Sequence, residues 1–347
     1  MSKKNSNAIL KRRFSDFKDL SLIYSNFKNK LDKLKRKSYV VAISGGPDSL
    51  ALAALSKAYS IERKTSFHYT LVNHNIRLNS SKEADQVKVL LKKHKIKLNV
   101  LKNNLTIKNN IQSQARKIRY SILSSFCIKK NINTILTGHN LDDQVETFFI
   151  RLSRGSGLTG LSAMKPLSKL DKKIDLFRPL LDVKKNSLIK ISKQIFKKFI
   201  NDPSNKNTKF LRTKIRNLKK HLMKSGINYD QIIKSINNLA SSNEVLDQYL
   251  EEIFKDLVKV SKMQILIDFN KFMKLNLEVK IKLINKCIKI LKKNYYNPRS
   301  KKVTFLISAL EKHSFKKATL GGCKFLKKKD FLILMVEKVS KYSKKTT

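Results

Sequence analysis

The sequence has little of several features that define other classes of protein. Its three cysteines, Cys127, Cys287 and Cys323, lie far apart and form no CxxC pair. This spacing offers neither a disulfide framework nor a structural zinc site, and it fits a reduced cytoplasmic location. No run of about 18 apolar residues occurs, so no membrane-spanning helix is expected. The basic N-terminal stretch is not followed by an apolar run and a small-residue cleavage site, so secretion is not expected either.

Acidic residues are scarce: 25 Asp and Glu stand against 76 Lys and Arg, which gives a formal net charge of +51 at pH 7. Such an excess predicts a polyanionic partner whose phosphates supply much of the affinity. A second explanation stays open, because a genome rich in A and T favours Lys, Asn and Ile codons whatever the function. A length of 347 residues predicts two or three domains and leaves the oligomeric state open.

Arginine is rare among the basic residues, since only 13 of the 76 are Arg. Eight of the 13 lie between Arg77 and Arg216, and six of these form close pairs: Arg116 and Arg119, Arg151 and Arg154, Arg212 and Arg216. The planar guanidinium matches phosphate and carboxylate geometry in a way that Lys does not. This interval is therefore the predicted place of specific anion recognition.

Strand and helix patterns alternate in the first part of the chain. Apolar runs predict strands at residues 39–44, 67–73, 98–101 and 134–138, with helices at 48–59, 81–94, 111–128 and 142–153. This alternation predicts an α/β fold with a parallel, Rossmann-like sheet. Residues 230–313 are mainly helical in pattern, with a candidate strand at 264–269, and two strands joined by a turn at 327–330 are predicted to follow.

A glycine-rich loop follows the first predicted strand. Its residues are Ser44, Gly45, Gly46, Pro47, Asp48 and Ser49. The glycines allow close backbone approach to a ligand, and the following helix N-terminus offers free N–H groups to an anion. Ser44 and Ser49 add hydroxyl donors, and Asp48 either caps the helix or meets a phosphate through a metal ion. A plain strand-to-helix turn is the alternative. Neither the Walker A nor the GxGxxG pattern is present.

An acidic cluster opens the fourth predicted helix. Asp142, Asp143 and Glu146 lie on neighbouring faces of its first turns, where the helix dipole stabilises negative charge. In so basic a chain, this cluster predicts a cationic ligand, either a magnesium ion or an ammonium group. Capping by Asp142 together with solvated acids is the alternative. The Arg154-Gly155-Ser156-Gly157 stretch beyond it is a flexible basic loop or a simple helix C-cap.

These motifs resemble those of a known family. The loop is similar to the SGGxDS loop of PP-loop ATP pyrophosphatases. The strings VNH at residues 72–74, QARKIRY at 114–120, GHNLDDQVET at 138–147 and RLSRGSGLTGL at 151–161 resemble tRNA(Ile)-lysidine synthetases, as do RPLL at 178–181, NDPSN at 201–205 and IRN at 215–217. The resemblance covers roughly residues 38–217. Asn140 and Thr213 depart from it, standing where many members have His and Asn.

The resemblance implies a reaction and roles for residues. ATP and Mg²⁺ would bind at residues 44–49, with Asp48 as a tentative metal ligand. The wobble cytidine of the CAU anticodon of isoleucine tRNA would be adenylated, and free L-lysine would then displace AMP at carbon 2. Asp143 and Glu146, beside Asp142, would hold that lysine. Arg116, Arg119 and Arg212 would stabilise the α-phosphate or grip tRNA, and Arg151 and Arg154 would contact substrate.

The sequence pattern also divides the chain into four parts. They are a basic helical extension (1–37), a PP-loop catalytic domain (38–217), a tRNA-binding domain (218–337) and a disordered tail (338–347). Two rival functions are weighed against this one. A PP-loop tRNA thiolase commonly uses cysteine pairs, and no CxxC is present here. A non-catalytic RNA-binding protein would explain the charge, but not a phosphate loop together with an acidic cluster.

Overall fold

Buried apolar segments and amphipathic helices alternate along the first part of the structure. The computed structural model describes residues 18–75, 79–103, 105, 111–200, 211–292, 298–312 and 314–337. Its contacts divide the chain into two compact units, and the chain passes between them three times. The first unit is formed by Met1–Arg154 and Ala163–Ser235, and the second by Gly155–Ser162 and Ile236–Thr347.

The first unit is built on a six-stranded sheet with helices between its strands. Its elements in chain order are α1 (Lys18–Leu34), β1 (Ser38–Ile43), α2 (Pro47–Glu62), β2 (Ser66–Asn73), α3 (Ser80–Lys93), β3 (Leu98–Lys102), α4 (Ile111–Lys129), β4 (Thr134–Leu136) and α5 (Leu141–Leu152). The short helix α6 (Leu158–Leu161) belongs to the second unit. The first unit then continues with β5 (Leu167–Lys169), β6 (Asp175–Phe177), α7 (Lys185–Phe196) and α8 (Leu211–Lys224).

The strands of the first sheet lie in the order β3-β2-β1-β4-β6-β5. All neighbouring pairs are parallel except β5 with β6. Strand β1 is central and buried, with Val40 and Val41 fully inaccessible to solvent. The order of the strands in the sheet reverses direction relative to their order in the chain at β1, which pairs with β2 on one side and with β4 on the other. A crevice for ligands is expected at the carboxyl ends of two such strands.

The helix that precedes the sheet is part of the core of the first unit. Leu20, Phe27 and Leu31 of α1 are buried in the same apolar cluster as β1 and α2. The Phe27 ring meets that of Tyr59 edge to face, with centroids 6.5 Å apart. The Tyr59 hydroxyl in turn donates to Asp32 Oδ1 at 2.6 Å. Helix α1 is thus held by both apolar and polar contacts. The spacing of apolar residues in the sequence also predicts Phe14 and Phe17 on this face, and both lie outside the described residues.

The second unit combines helices with an antiparallel sheet. Its further elements are α9 (Tyr229–Leu257, within which the two units divide), β7 (Val258–Val260), β8 (Gln264–Asp268), α10 (Phe269–Lys274), α11 (Leu277–Lys292), α12 (Ser300–Leu310), β9 (Lys317–Leu320), β10 (Cys323–Lys328) and β11 (Phe331–Val336). The strand order is β7-β8-β11-β10-β9, and every pair is antiparallel. Side chains of α11 and α12 pack with this sheet in one apolar core.

The predicted fold class is confirmed: a Rossmann-like parallel domain is followed by a mainly helical part with a small terminal β element. The prediction of two strands at the end of the chain is wrong, because three are present. Gly321 and Gly322 both have positive φ, 61° and 71°, and they form an additional tight turn between β9 and β10. The boundaries proposed at residues 37 and 217 stay predictions, and residues 338–347 lie outside the described residues.

The packing of α1 leads to a stability prediction. Phe27→Ala is expected to lower the free energy of unfolding by about 3–5 kcal/mol, because it removes a ring that is only 1% exposed. Leu22→Ala on the same helix, at a side chain that is 62% exposed, is expected to change it by no more than about 0.5 kcal/mol. Denaturant unfolding of both variants measures this. Equal effects of the two substitutions would show that α1 is not part of the core.

Candidate active site

The glycine-rich loop is shaped by its own serines. Gly45 has a φ of +84°, and a Cβ at this position would lie 2.6 Å from Val87 Cγ2, so only glycine fits without strain. The Ser49 hydroxyl donates to Gly46 O at 3.0 Å and accepts from the Ser44 backbone N–H at 3.1 Å. Ser49 therefore closes the loop on itself, while Ser44 is exposed.

Helix α2 begins directly behind this loop with Pro47 in its first turn. Its N-cap residue, Gly46, makes no side-chain capping bond. The N–H groups of the first turn are therefore not satisfied by a cap and point out of the helix end, an arrangement that suits an anion. Gly138, which follows β4, lies against this turn: a Cβ there would lie 2.9 Å from Asp48 O. The loop and the end of β4 are thus in close backbone contact.

A capping box opens helix α5. Asn140 Oδ1 accepts from the Asp143 backbone N–H at 3.0 Å, and Asp143 Oδ2 accepts from the Asn140 backbone N–H at 3.1 Å. Capping of this helix therefore falls to Asn140 and not to Asp142. The family departure at Asn140 has a physical explanation, since Asn is among the best N-cap residues. Thr213, the other departure, is buried in α8.

Two of the three predicted acidic residues are paired with cations of α8. Glu146, only 2% exposed, accepts a bidentate pair from Arg216, with Nε–Oε1 at 2.7 Å and Nη2–Oε2 at 3.1 Å. Asp142 accepts from Lys219 Nζ at 2.7 Å and from the Lys185 backbone N–H at 3.0 Å. Burial alone would raise the pKa of Asp142, but these donors hold it below its usual value. Asp142 is therefore held as an anion, and Glu146 is fixed in place by Arg216.

The pKa values of Asp48 and Asp143 are raised, whereas that of Asp142 is lowered. Burial raises the pKa of Asp48 to about 6, with Asp143 adding to the shift and Lys185 opposing it. Burial and the charge of Glu146 raise the pKa of Asp143, against the opposing charge of Arg212. Asp48 Oδ1 is buried and has no hydrogen-bond partner among the described residues. A buried carboxylate oxygen left unpaired is a place where a bound cation or its water would be stabilised.

The two candidate histidines are neutral in this environment. Burial lowers the pKa of His139 far below its usual value, and the charges of Arg116, Arg119, Arg178 and Arg212 lower it further. The ring Nδ1 of His139 lies 2.8 Å from Thr137 Oγ1. Burial and the charge of Arg119 lower the pKa of His74 to about 4. Its Nε2 accepts from Arg119 Nε at 3.3 Å.

The predicted arginines have different surroundings. Arg116 lies over the ring of Tyr120, 5.1 Å from its centroid. The charges of Arg116, Arg119 and Arg212 all lower the pKa of His139. The charge of Arg212 also lowers the pKa of Asp143. Arg151 Nη1 donates to Ala163 O at 2.6 Å, while Arg154 is exposed. The first three thus converge on the site, whereas Arg151 is engaged in holding backbone.

Sequence reasoning did not select three cations of the site: Lys185, Arg216 and Lys219. Arg216 carried a signal, because it is paired in sequence with Arg212 four residues earlier. Lys185 and Lys219 carried none, since lysine is so common in this chain. Of the family strings, Arg77 and residues 201–205 lie outside the described residues.

The chain is similar to known proteins. A PP-loop domain family matches residues 20–222. The tRNA(Ile)-lysidine synthase of Wolbachia pipientis wMel is 36% identical over 326 residues, which cover 92% of this chain and 75% of that protein. The protein of that name from Ruegeria pomeroyi is 30% identical, with 82% and 68% covered.

A solved structure is similar to this fold. The U34-tRNA thiolase NcsA from Methanococcus maripaludis, with its [4Fe-4S] cluster, superposes with a TM-score of 0.54 at 21% identity, covering 64% of this chain and 78% of that one. At this identity the likeness concerns the fold alone. No helix among the described residues is long and apolar enough to cross a membrane.

The burial of Asp48 gives a prediction with a defined pH dependence. Asp48→Asn is expected to stabilise the ligand-free protein at about pH 8 and to leave its stability unchanged at about pH 3. The folded pKa of about 6 lies above the usual value of 3.8, so folding stability falls as pH rises between them. Below that window the Asp48 carboxyl is protonated in both the folded and the unfolded protein, so its burial no longer lowers the free energy of unfolding. Thermal unfolding across the pH range measures the difference.

A matched control is Asp230→Asn, since that side chain is 60% exposed and pairs with Lys184 at the surface. Its effect is expected to stay below about 1 kcal/mol. If Asp48→Asn changed the melting temperature equally at all pH values, burial of a charged carboxylate would not be the cause.

Proposed function

The chain belongs to the tRNA(Ile)-lysidine synthase family, and from this premise we propose that it joins L-lysine to the wobble cytidine of an isoleucine tRNA with a CAU anticodon. ATP drives the reaction. The cytidine carbonyl oxygen attacks the α-phosphate and releases pyrophosphate, and the ε-amine of lysine then displaces AMP at carbon 2. The observation that carries the proposal is the glycine-rich loop in backbone contact with the strand end that leads into the acidic helix.

The loop at residues 44–49 is suited to the pyrophosphate part of ATP. Gly45 and Gly46 leave room for close approach, and the uncapped first turn of α2 provides N–H donors. The Ser44 hydroxyl donates to Ser49 Oγ at 3.2 Å but is exposed, so it is within reach of a ligand, whereas Ser49 is occupied within the loop. ATP would thus be held mainly by backbone, which the positive φ of Gly45 holds in the loop conformation.

The residues of the site also fit a magnesium ion. Asp48 presents a buried oxygen without a partner among the described residues, and oxygen is the ligand atom that Mg²⁺ prefers. Bound together with ATP, the ion would neutralise charge on the phosphates. Magnesium usually keeps several waters and takes one or two protein carboxylates, so Asp48 with phosphate oxygens is a sufficient set. Asp48 would then be held ionised by the ion's charge.

L-lysine requires an anionic pocket for its ammonium group. Of the three acids predicted to hold it, Asp142 and Glu146 already carry Lys219 and Arg216. Asp143 Oδ2 accepts the capping bond, and no hydrogen bond to Oδ1 is found among the described residues. Asp143 is therefore the acid best suited to meet the amine, with Glu146 adding charge nearby. Its raised pKa also suits it to accept the proton that lysine must lose before attack.

The arginines supply positive charge for the transition state and for RNA. The charges of Arg116, Arg119 and Arg212 all lower the pKa of His139, so these cations lie near one neutral ring. They are suited to stabilise negative charge on the α-phosphate. Arg154 is exposed and is free of the backbone contact that occupies Arg151, so it is the better of the two for a tRNA phosphate. An anticodon loop presents its base unpaired, which removes the cost of opening a helix.

The thiolase alternative is less well supported. The cysteines Cys127, Cys287 and Cys323 are all buried and unpaired by disulfide. Burial raises the pKa of Cys127 and Cys287 to about 12, which keeps both thiols protonated and unreactive. Cys127 is also the sole cysteine in the chain segments that form the first unit. A persulfide or cluster mechanism would need reactive thiolates at the nucleotide site.

The proposal is tested by incubating the protein with ATP, Mg²⁺, labelled L-lysine and an isoleucine tRNA transcript bearing CAU. Label is expected to enter the tRNA with release of AMP and pyrophosphate. Asp143→Asn is expected to reduce the rate by about 10²- to 10⁴-fold, the usual contribution of a positioned acid or base. The control Asp256→Asn, at an exposed residue of the second unit, should keep wild-type activity.

Two other results would each support a different function for the protein. If lysine is not incorporated, and ATP-dependent labelling of the tRNA occurs when a labelled sulfur donor is supplied instead, the fold would stand and the thiolase function would be supported. Binding of tRNA without any ATP turnover would establish a non-catalytic RNA-binding protein.

A further inference from the structure

Three residues lead from the end of β4 to the N-cap of α5: Thr137, Gly138 and His139. The Thr137 backbone N–H donates to Phe177 O at 3.0 Å, which continues the pairing of β4 with β6. Gly138 lies against the first turn of α2, because a Cβ there would lie 2.9 Å from Asp48 O. The His139 ring is thus carried by the strand end that connects the phosphate loop with the acidic helix.

A hydrogen bond joins the first and the last of these three residues. Thr137 Oγ1 and His139 Nδ1 lie 2.8 Å apart. Thr137 is only 6% exposed, so its hydroxyl cannot turn to bulk water for a partner. No other hydrogen bond of this hydroxyl is found among the described residues. The two side chains therefore depend on each other.

The direction of this bond follows from counting donors and acceptors. A neutral imidazole has one N–H and one acceptor nitrogen. If Nδ1 carried the proton and donated to Thr137, the hydroxyl hydrogen would be buried without an acceptor in the described part of the chain. If the hydroxyl donates to Nδ1, both groups are satisfied, as buried polar groups usually are. The single ring proton of His139 then lies on Nε2.

The Nε2 atom of His139 is open to a ligand. It makes no hydrogen bond within the described ranges, and it is not one of the buried atoms there that lack a partner. The residue is only partly buried. His74 differs, because its Nε2 accepts from Arg119 and its Nδ1 is buried without a partner among the described residues. Of the two candidate histidines, only His139 can offer an N–H to a bound molecule.

The surroundings of His139 favour an anion. Burial keeps the ring neutral, and the charges of Arg116, Arg119 and Arg212 reinforce this by lowering its pKa. A site with this potential attracts phosphate. A ring N–H adds a neutral donor for a phosphoryl oxygen, whereas a ring lone pair would repel that oxygen. The Nε2–H form of His139 is therefore the one that suits the ligand.

We propose that Thr137 is a positioning residue that holds His139 as the Nε2–H tautomer, so that Nε2 donates to a phosphoryl oxygen of ATP. Thr137 does not touch ATP and acts through the ring. His139 is then no general base, because Nε2 has no free lone pair and the lone pair of Nδ1 accepts from Thr137. The contact with ATP rests on the proposed function, whereas the tautomer does not.

NMR of the ligand-free protein, labelled at the histidine ring nitrogens, measures the tautomer. The chain has six histidines, and the signals missing from His139→Gln identify His139. A protonated Nε2 and a hydrogen-bonded, unprotonated Nδ1 are expected. A proton on Nδ1 would overturn the inference. Magnesium-ATP, added without tRNA, is expected to shift the Nε2 resonance, and an unchanged resonance would overturn the contact with ATP.

Thr137→Val tests the positioning role, because it removes the hydroxyl with little change of shape. Nδ1 loses its donor, so its resonance is expected to move and ring protonated at Nδ1 is expected to appear. The kcat/KM for ATP is expected to fall about 3- to 10-fold, the effect of one lost hydrogen bond. The KM for L-lysine is expected to stay at its wild-type value. Steady-state AMP release at varied ATP and varied lysine measures both constants, and an unchanged kcat/KM for ATP contradicts the role.

Two control variants separate positioning from general packing. Thr137→Ser keeps the hydroxyl and is expected to keep the wild-type tautomer and kcat/KM for ATP. Thr70→Val removes another buried hydroxyl of the same sheet, 1% exposed and bonded to His68 O at 3.1 Å, and is expected to alter neither. Equal losses in Thr137→Val and either control would assign the effect to packing and overturn the inference.

Failure of the proposed function would be recognised separately, as absence of lysine incorporation by the wild-type protein. The two NMR measurements on that protein use neither tRNA nor lysine, and they do not require that a variant folds. In that case the Nε2–H tautomer together with the shift on addition of magnesium-ATP still supports the inference, and the absence of either overturns it.

Discussion

The active site depends on the ion pair between Glu146 and Arg216. Glu146 lies on α5 and is almost wholly removed from water, so its charge requires a partner. Arg216, on α8, provides two hydrogen bonds to it, and its charge also acts on Asp48 and Asp143. One guanidinium therefore offsets three carboxylates at the same edge of the sheet. Without it, this concentration of buried negative charge would favour protonation or opening of α8.

Burial has different consequences for the four acidic residues of the site, Asp48, Asp142, Asp143 and Glu146. Asp142 and Glu146 receive cationic donors and serve to hold α8 and the start of α7 in place. Asp48 and Asp143 receive fewer donors, and burial raises their pKa values. Titratable groups poised in this way are frequent at sites of chemistry, because they exchange protons or cations readily. The paired acids build the site, and the under-paired acids remain available to ligands.

The sequence predicted the elements that local patterns determine. The parallel strands, the phosphate loop and the acidic start of α5 all follow from apolar runs, glycines and helix-start residues. What it did not predict depends on tertiary contacts. Arg216 meets Glu146 across 70 residues, and Lys219 is indistinguishable from its many lysine neighbours. Asn140 was treated as a family departure although it is the N-cap. The Arg154–Gly157 stretch was predicted as a flexible basic loop or a helix C-cap, and contacts of Gly157, Thr159 and Ser162 with helices more than 75 residues away were not predicted.

Burial also separates two origins of the positive charge. A compositional bias towards lysine adds cations where they cost little, which is at the solvated surface. It does not by itself place an ammonium group in a site that is 7% exposed, since desolvation there must be offset by partners of suitable geometry. Lys282 has two such partners, and Arg216 has a bidentate one. In a chain of +51 net charge, the informative cations therefore include those held by partners of defined geometry, such as Lys282 and Arg216.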